Sequence, residues 1–286
     1  HGAMKHLPDF RSPDFLREHL LHTLAFYDER AVDPSGGMYQ HFKDDGTVYD
    51  TGTRHLVSSA RFAIIFANAA RAFPQHPRAL AWLASARHAL AFLQRAHRHP
   101  ESGGYAWVLQ WERGQAEVQD ATNHCYGLAF VLMAHAQALR AGITEARAGL
   151  VDTIALMEKH FWEADAGLYA DEATRDWHVL PYRGQNANMH ACEALLAAFE
   201  ATQDTFCLMR ATTLAESVTR RLAAQTHGLI WEHYQTDWTA DWDYNRHDDS
   251  NIYRPWGFQP GHLVEWAKLL LTLERSTPGL IEADPD

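Results

Sequence analysis

The chain has 286 residues, is 47% hydrophobic and carries a formal net charge of −11 at pH 7. That is ample for one large core, while an acidic balance disfavours binding to a phosphate backbone, so no nucleic acid is expected. With no run of 18 apolar residues, no membrane-spanning helix is expected, and three cysteines without C-x-x-C spacing (Cys125, Cys192 and Cys207) fit reduced thiols in a cytoplasmic protein.

From the start of the chain, His1-Gly-Ala-Met4 is set aside as a remnant before a native Met4, leaving residues 5–286 as a single domain. Helical periodicity predicts helices over 13–30, 54–73, 77–97, 119–141, 145–161, 186–201, 204–225 and 261–275. Ala-rich runs such as Ala79–Ala91 favour helix by propensity. No alternating run is long enough for a major strand.

A short Gly-containing motif recurs between helix pairs. Its glycines, Gly37, Gly104, Gly167 and Gly228, are spaced by 67, 63 and 61 residues. This is an internal repeat, with the glycine expected to supply a positive φ in a turn. Helix-pair repeats must stack on their neighbours to bury a face. Units this long, each with a hairpin, favour a closed α/α toroid. A ring of about six pairs would need more chain than the four or so units present. The toroid is therefore expected to lack its C-terminal helix pairs, and a longer native polypeptide is expected.

Several motifs can carry chemistry, and they fall in chain order. In Tyr49-Asp-Thr-Gly-Thr-Arg-His-Leu-Val57, Thr53 can cap a helix, placing Arg54 and His55 in its first turn. A cation there opposes the helix dipole, which hints at function. Asp120, Asn123 and His124 are candidate caps for the helix over 119–141. In Pro181–Glu193, Asn186 or Asn188 can cap a helix, and Asn186, His190 and Glu193 share one face. The acidic and aromatic stretch Asp237–Arg246 is a candidate lid. Last comes Arg254-Pro-Trp-Gly-Phe-Gln-Pro-Gly-His-Leu-Val-Glu-Trp266, where Pro-Gly breaks the chain and His262 opens a helix with Glu265 one turn on.

His190/Glu193 and His262/Glu265 repeat an H-x-x-E spacing on what would be neighbouring inner helices. Paired imidazoles and carboxylates suit general acid/base catalysis near pH 7, with each glutamate orienting its ring. The alternative is a metal site. Di-metal bundles use Glu-x-x-His with further regularly placed carboxylates, which are not seen, so no metal and no cofactor is expected. A hydrolase on the same scaffold would need a carboxylate pair, for which Asp237, Asp241 and Asp243 are the candidates. A non-catalytic sugar- or protein-binding toroid would keep the aromatics without requiring His262. The chain's 10 tryptophans and 19 histidines lean towards a sugar-binding surface.

The strings Gln185-Asn-Ala-Asn-Met-His-Ala-Cys-Glu-Ala-Leu195, Arg254–Trp266 and Thr53-Arg-His-Leu-Val57 resemble the N-acylglucosamine 2-epimerase superfamily, closest to its bacterial aldose–ketose isomerases. The resemblance implies an all-α (α/α)6 barrel. It also implies metal-free isomerisation or 2-epimerisation of a monosaccharide by a monomer or homodimer. On it, His262 is a catalytic acid/base and His190 contacts the sugar and assists ring opening. Arg54 binds substrate oxygens, and Asn186 and Glu265 contact or orient the substrate. Glu193 and Trp256 are placed with the substrate-binding set. The family's second catalytic histidine is expected beyond residue 286.

Overall fold

The computed structural model describes residues 12–248 and 250–277. Eight α-helices are found among them: α1 (Pro13–Tyr27), α2 (Leu56–Ala72), α3 (Ala79–Phe92), α4 (Cys125–Arg140), α5 (Ala146–His160), α6 (Gln185–Thr202), α7 (Thr205–Glu216) and α8 (Pro260–Ser276). π-helical turns extend α3 through Leu93–His97 and α7 through Ser217–Leu222. The even-numbered helices form an inner row, α2 on α4, α4 on α6 and α6 on α8, and the odd-numbered ones pack outside.

Small residues set this spacing. Ala129, Ala134, Ala136 and Ala138 of α4 are buried, as are Ala187, Ala191, Ala194 and Ala198 of α6. Their short side chains let neighbouring backbones approach, and the large apolar residues fill the space between rows. The core runs continuously from Leu24 of α1 to Trp266, Leu269 and Leu273 of α8.

Of the inner helices, α2, α4 and α6 begin where a short strand ends, and this corrects their predicted starts. Thr53–His55 is a strand, so Arg54 and His55 precede α2 rather than forming its first turn, and Thr53 bonds Asp50 instead of capping. Residues 119–124 are likewise extended, and α4 starts at Cys125. His55 caps α2 by accepting from the Val57 N–H, whereas His124 at the start of α4 makes no capping bond. Because α6 starts at Gln185, Asn186 and Asn188 lie inside the helix and neither caps it.

A real sheet also exists. Val108–Glu112 pairs antiparallel with both Thr53–His55 and Gln115–Asp120. Its Arg113-Gly114 turn has φ of 53° and 73°, the left-handed pair of a tight hairpin.

The repeats are legible in hydrogen bonds. Tyr39, Ala106 and Ala170 donate backbone N–H groups back to Ala31, His97 and Phe161. In that register Gly37 matches Gly104. Gly37 and Gly167 have positive φ, but in the second repeat the positive φ belongs to Gly103. Gly104 is needed for space instead, since a Cβ there would lie 2.1 Å from Asn123 Oδ1.

Candidate active site

The strands that lead into α2, α4 and α6 each pair with a strand preceded by a residue of the site, and the repeat places these residues alike. Trp107, Asp171 and Glu232 occupy one position in three successive units. Their carbonyls accept the first N–H of α2, α4 and α6, from Leu56 at 2.9 Å, Cys125 at 2.8 Å and Gln185 at 3.2 Å. All three therefore stand beside an inner-helix start, at one mouth of the helix row.

In the last of these units the chemistry concentrates on His262. Its Nδ1–H donates to Glu232 Oε1 at 2.5 Å, and the Glu232 side chain is only 5% exposed. Glu232 also accepts from Gln185 Nε2 at 2.9 and 2.8 Å, and Gln185 Oε1 accepts from Trp266 Nε1 at 2.7 Å. Every polar atom of this buried relay has a partner, which fixes the ring's plane and its tautomer. The Glu232 hydrogen bond raises the His262 pKa above its ordinary value, against the lowering effect of burial. Nε2 is left to act as base and then acid.

The predicted orienting carboxylate, Glu265, is not the one that binds the ring. It lies 3.6 Å from Lys268 and makes no hydrogen bond to His262. The spacing rule was sound for Cβ positions, but side-chain direction and a long-range partner decided the contact.

His190 lies one helix over. Its Nδ1 is 3.6 Å from Glu193, and its ring packs on Tyr126 and Phe130 at 4.8 and 5.3 Å between centroids. His190, Glu193 and Glu265 line one cavity of about 530 Å³, together with Arg61, Phe130 and Lys268. Of the second H-x-x-E motif only Glu265 reaches this cavity, while His262 sits at the Gln185–Glu232 network. Asn186 follows Gln185 in the first turn of α6, and its Oδ1 is shielded without a hydrogen-bond partner.

Arg54 stands apart from this group. It is fully buried, donates to Asp33 at 2.6 Å and to the Thr51 carbonyl at 2.7 Å, and lies near the Tyr39 and Phe92 rings. Arg183 repeats the pattern in the third unit, donating to Glu163 and to the Leu180 carbonyl, each at 2.7 Å. In both units the guanidinium ties a hairpin to the strand that feeds the inner helix.

Arg254, which opens the Arg254–Trp266 stretch but is given no role by the sequence, reaches the mouth. It lies 3.0 Å from Asp171 and 3.1 Å from Glu172, and stacks 3.7 Å from the Tyr182 ring centroid. Burial pushes the Asp171 carboxyl up to about 6, with Arg254 pulling the other way. His124, Asp171 and Glu172 are the one cluster among the described residues close enough to hold a metal ion. The cation those carboxylates hold is Arg254. Next to it, His233 bridges Tyr182 at 2.7 Å and the Pro255 carbonyl at 2.8 Å, which anchors the segment. Trp256 donates to the Trp242 carbonyl and is 46% exposed, outside the His190 cavity.

The carboxylates considered for a hydrolase do not pair. Asp237 bonds Thr239 within its own turn, and Asp243, 81% exposed, bonds Arg246. Glu232, Trp107 and Arg254 were missed in the sequence. The signal that could have found Glu232 is the repeat itself, since Gly228-Leu-Ile-Trp-Glu232 is a repeat motif running into a buried acid.

Comparison with known proteins agrees with this architecture. The family model for N-acylglucosamine 2-epimerase (GlcNAc 2-epimerase) matches residues 37–284. A D-mannose isomerase of Marinomonas mediterranea is 49% identical over 95% of this chain and 67% of its own length. A second, from Thermobifida fusca, is 38% identical over 68% of this chain and 47% of its own. The chain thus spans about two thirds of the first relative and under half of the second. A crystal structure of D-mannose isomerase superposes with a TM-score of 0.87 at 48% identity, covering 96% of this chain and 68% of that one. A cellobiose 2-epimerase from Spirochaeta thermophila shares the fold, with a TM-score of 0.76 at 22% identity over 96% of this chain and 67% of that one.

Proposed function

The chain belongs to the N-acylglucosamine 2-epimerase family, and from that premise we propose that it is an aldose–ketose isomerase interconverting D-mannose and D-fructose. The observation that carries the proposal is the His262–Glu232 pair, an imidazole with one nitrogen fixed and the other free, at the mouth of the helix row. The reaction moves a proton from C2 of the open-chain aldose to C1 through a cis-enediol.

His262 Nε2 takes the C2 proton as the C1 carbonyl oxygen gains one, giving the enediol. The O2 proton then leaves while C1 receives a proton, giving the ketose. Glu232 stabilises the imidazolium formed between the two steps. His190, on the neighbouring α6, is assigned to ring opening and to proton exchange at the sugar oxygens. Asn186, one turn before His190 on α6, is assigned to a substrate contact. Proton transfer by histidine needs no metal or cofactor, and a chelator is expected to leave the rate unchanged. Among the described residues no helix is long and apolar enough to cross a membrane, and all three cysteines are free and buried, which supports placement in the reducing cytoplasm.

The family description favours a second reading, 2-epimerisation. It would return the proton to C2 from the opposite face and so needs a base across the sugar from His262. Incubating the protein with D-mannose separates the two, because isomerisation yields D-fructose and epimerisation yields D-glucose. A His262→Ala variant that converts mannose at the unaltered rate overturns the role of His262.

A further inference from the structure

Trp107 holds, in the second repeat, the backbone position that Asp171 and Glu232 hold in the next two. Those two acids face the mouth, on Arg254 and His262. Equivalent backbone placement sends the indole to the same mouth. There it is flanked by two imidazoles, His55 at 4.4 Å and His124 at 4.0 Å between ring centroids. These histidines are themselves repeat mates, each the residue just before an inner helix. Through Tyr126, 6.4 Å from Trp107, the aromatic wall continues to His190.

The wall's own three rings are uncharged, with Glu172 3.7 Å from His124 Nδ1 as its nearest carboxylate. The Val57 N–H donates to His55 Nδ1 at 3.2 Å, so the His55 proton sits on Nε2. Burial holds His55 below its ordinary pKa and His124 at about 4, so both rings are uncharged near neutrality. The Trp107 indole N–H has no hydrogen-bond partner among the described residues, and all three rings are partly exposed. Space for the indole is built in, because a Cβ on Gly127 would lie 3.0 Å from it. A rigid apolar face edged by uncharged ring nitrogens matches the C–H faces and hydroxyls of a sugar better than it matches an ion.

We propose that His55, Trp107 and His124 form the platform for the part of the aldose remote from its reacting carbons, the indole packing on C–H groups and the N–H groups donating to hydroxyls. The wall adjoins His190 and makes no contact with His262, so a sugar with C2 at His262 extends past His190 to reach it. The proposal rests on the mouth being a monosaccharide site.

Titration of the protein with D-mannose and with D-lyxose, which lacks C6, followed by saturation-transfer NMR, tests it independently of turnover. Trp107→Ala is expected to weaken mannose binding about tenfold and to narrow the preference for mannose over lyxose. His124→Phe keeps the ring stack but loses its ring nitrogens, and His55→Asn keeps a capping acceptor but loses the ring. Each is expected to weaken mannose about three- to tenfold. Far-UV circular dichroism establishes that each variant is folded, and His124→Phe carries the test should Trp107→Ala not fold. Mannose binding that is unaltered in the folded variants overturns the platform and leaves the sugar site standing. An unaltered protein that binds neither sugar overturns both.

Discussion

Glu232 and His262 are 30 residues apart in sequence and 2.5 Å apart in space, joined by a hydrogen bond from Nδ1 to a carboxylate that is almost wholly buried. Gln185 and Trp266 complete the relay, so the carboxylate cannot turn away without stranding two donors. The pair couples the strand side of the mouth to the first turn of α8.

Glu232→Gln keeps the shape but not the charge. A neutral imidazole is the working base, so activity has an acid limb at the His262 pKa, which Glu232 raises. The variant is expected to lose about 10²-fold in kcat/KM and to move that acid limb to lower pH. A pH–rate profile measures both. An unmoved limb would mean that Glu232 does not act on His262.

Arg254 neutralises two largely buried carboxylates. Arg254→Met leaves Asp171 and Glu172 facing each other without a cation, and is expected to destabilise the protein by about 3 kcal/mol. Urea unfolding reports the loss. Asp171→Asn in the same background is expected to restore part of it, because it removes a buried charge with no partner.

Arg54 tests whether the resemblance or the packing describes this residue better. It is fully buried on Asp33, so Arg54→Met is expected to cost about 3 kcal/mol in the same unfolding measurement. A purely ligand-binding arginine would leave stability unchanged. The repeat mate, Arg183→Met, is expected to behave alike.

His124 predicts a pH dependence of stability. Burial lowers its folded-state pKa to about 4, so its contribution is present above the unfolded value near 6.5 and is lost as pH falls towards 4. Asp171 acts with the opposite sign. Its folded pKa is raised to about 6, so its contribution is present at low pH and lost as pH rises from about 4 to 6. The comparison that isolates His124 is the unaltered protein against His124→Phe. The variant is expected to lose stability less steeply between pH 6.5 and 4, by up to about 1.4 kcal/mol per pH unit. Equal slopes would place the titrating group elsewhere.

Much of this was legible in the sequence. Helix existence followed from periodicity, with most ends within a few residues, and the Gly-containing motifs gave the repeat and hence the stacked pairs. His190, Glu193 and Glu265 do line one lumen. What failed were starts at which a strand runs directly into a helix. Thr53–His55 and Asn123–His124 are too short to alternate, so their residues read as helical. The site failed where partners are distant in the chain. Glu265 was the near carboxylate and Glu232 the true one, because strand pairing of Arg183–Gly184 with His233–Tyr234 brings Glu232 against Gln185. Nothing local to Glu232 records that pairing.

The most direct test of the account is the conversion of D-mannose deuterated at C2, followed by NMR, with His262→Ala in parallel and chelator in both. The expected result is D-fructose whose C2 deuterium has passed to C1 or to water, no effect of chelator, and a loss of at least about 10²-fold in the variant. Fructose formed at the unaltered rate by His262→Ala, or D-glucose in place of D-fructose as the product, would contradict it.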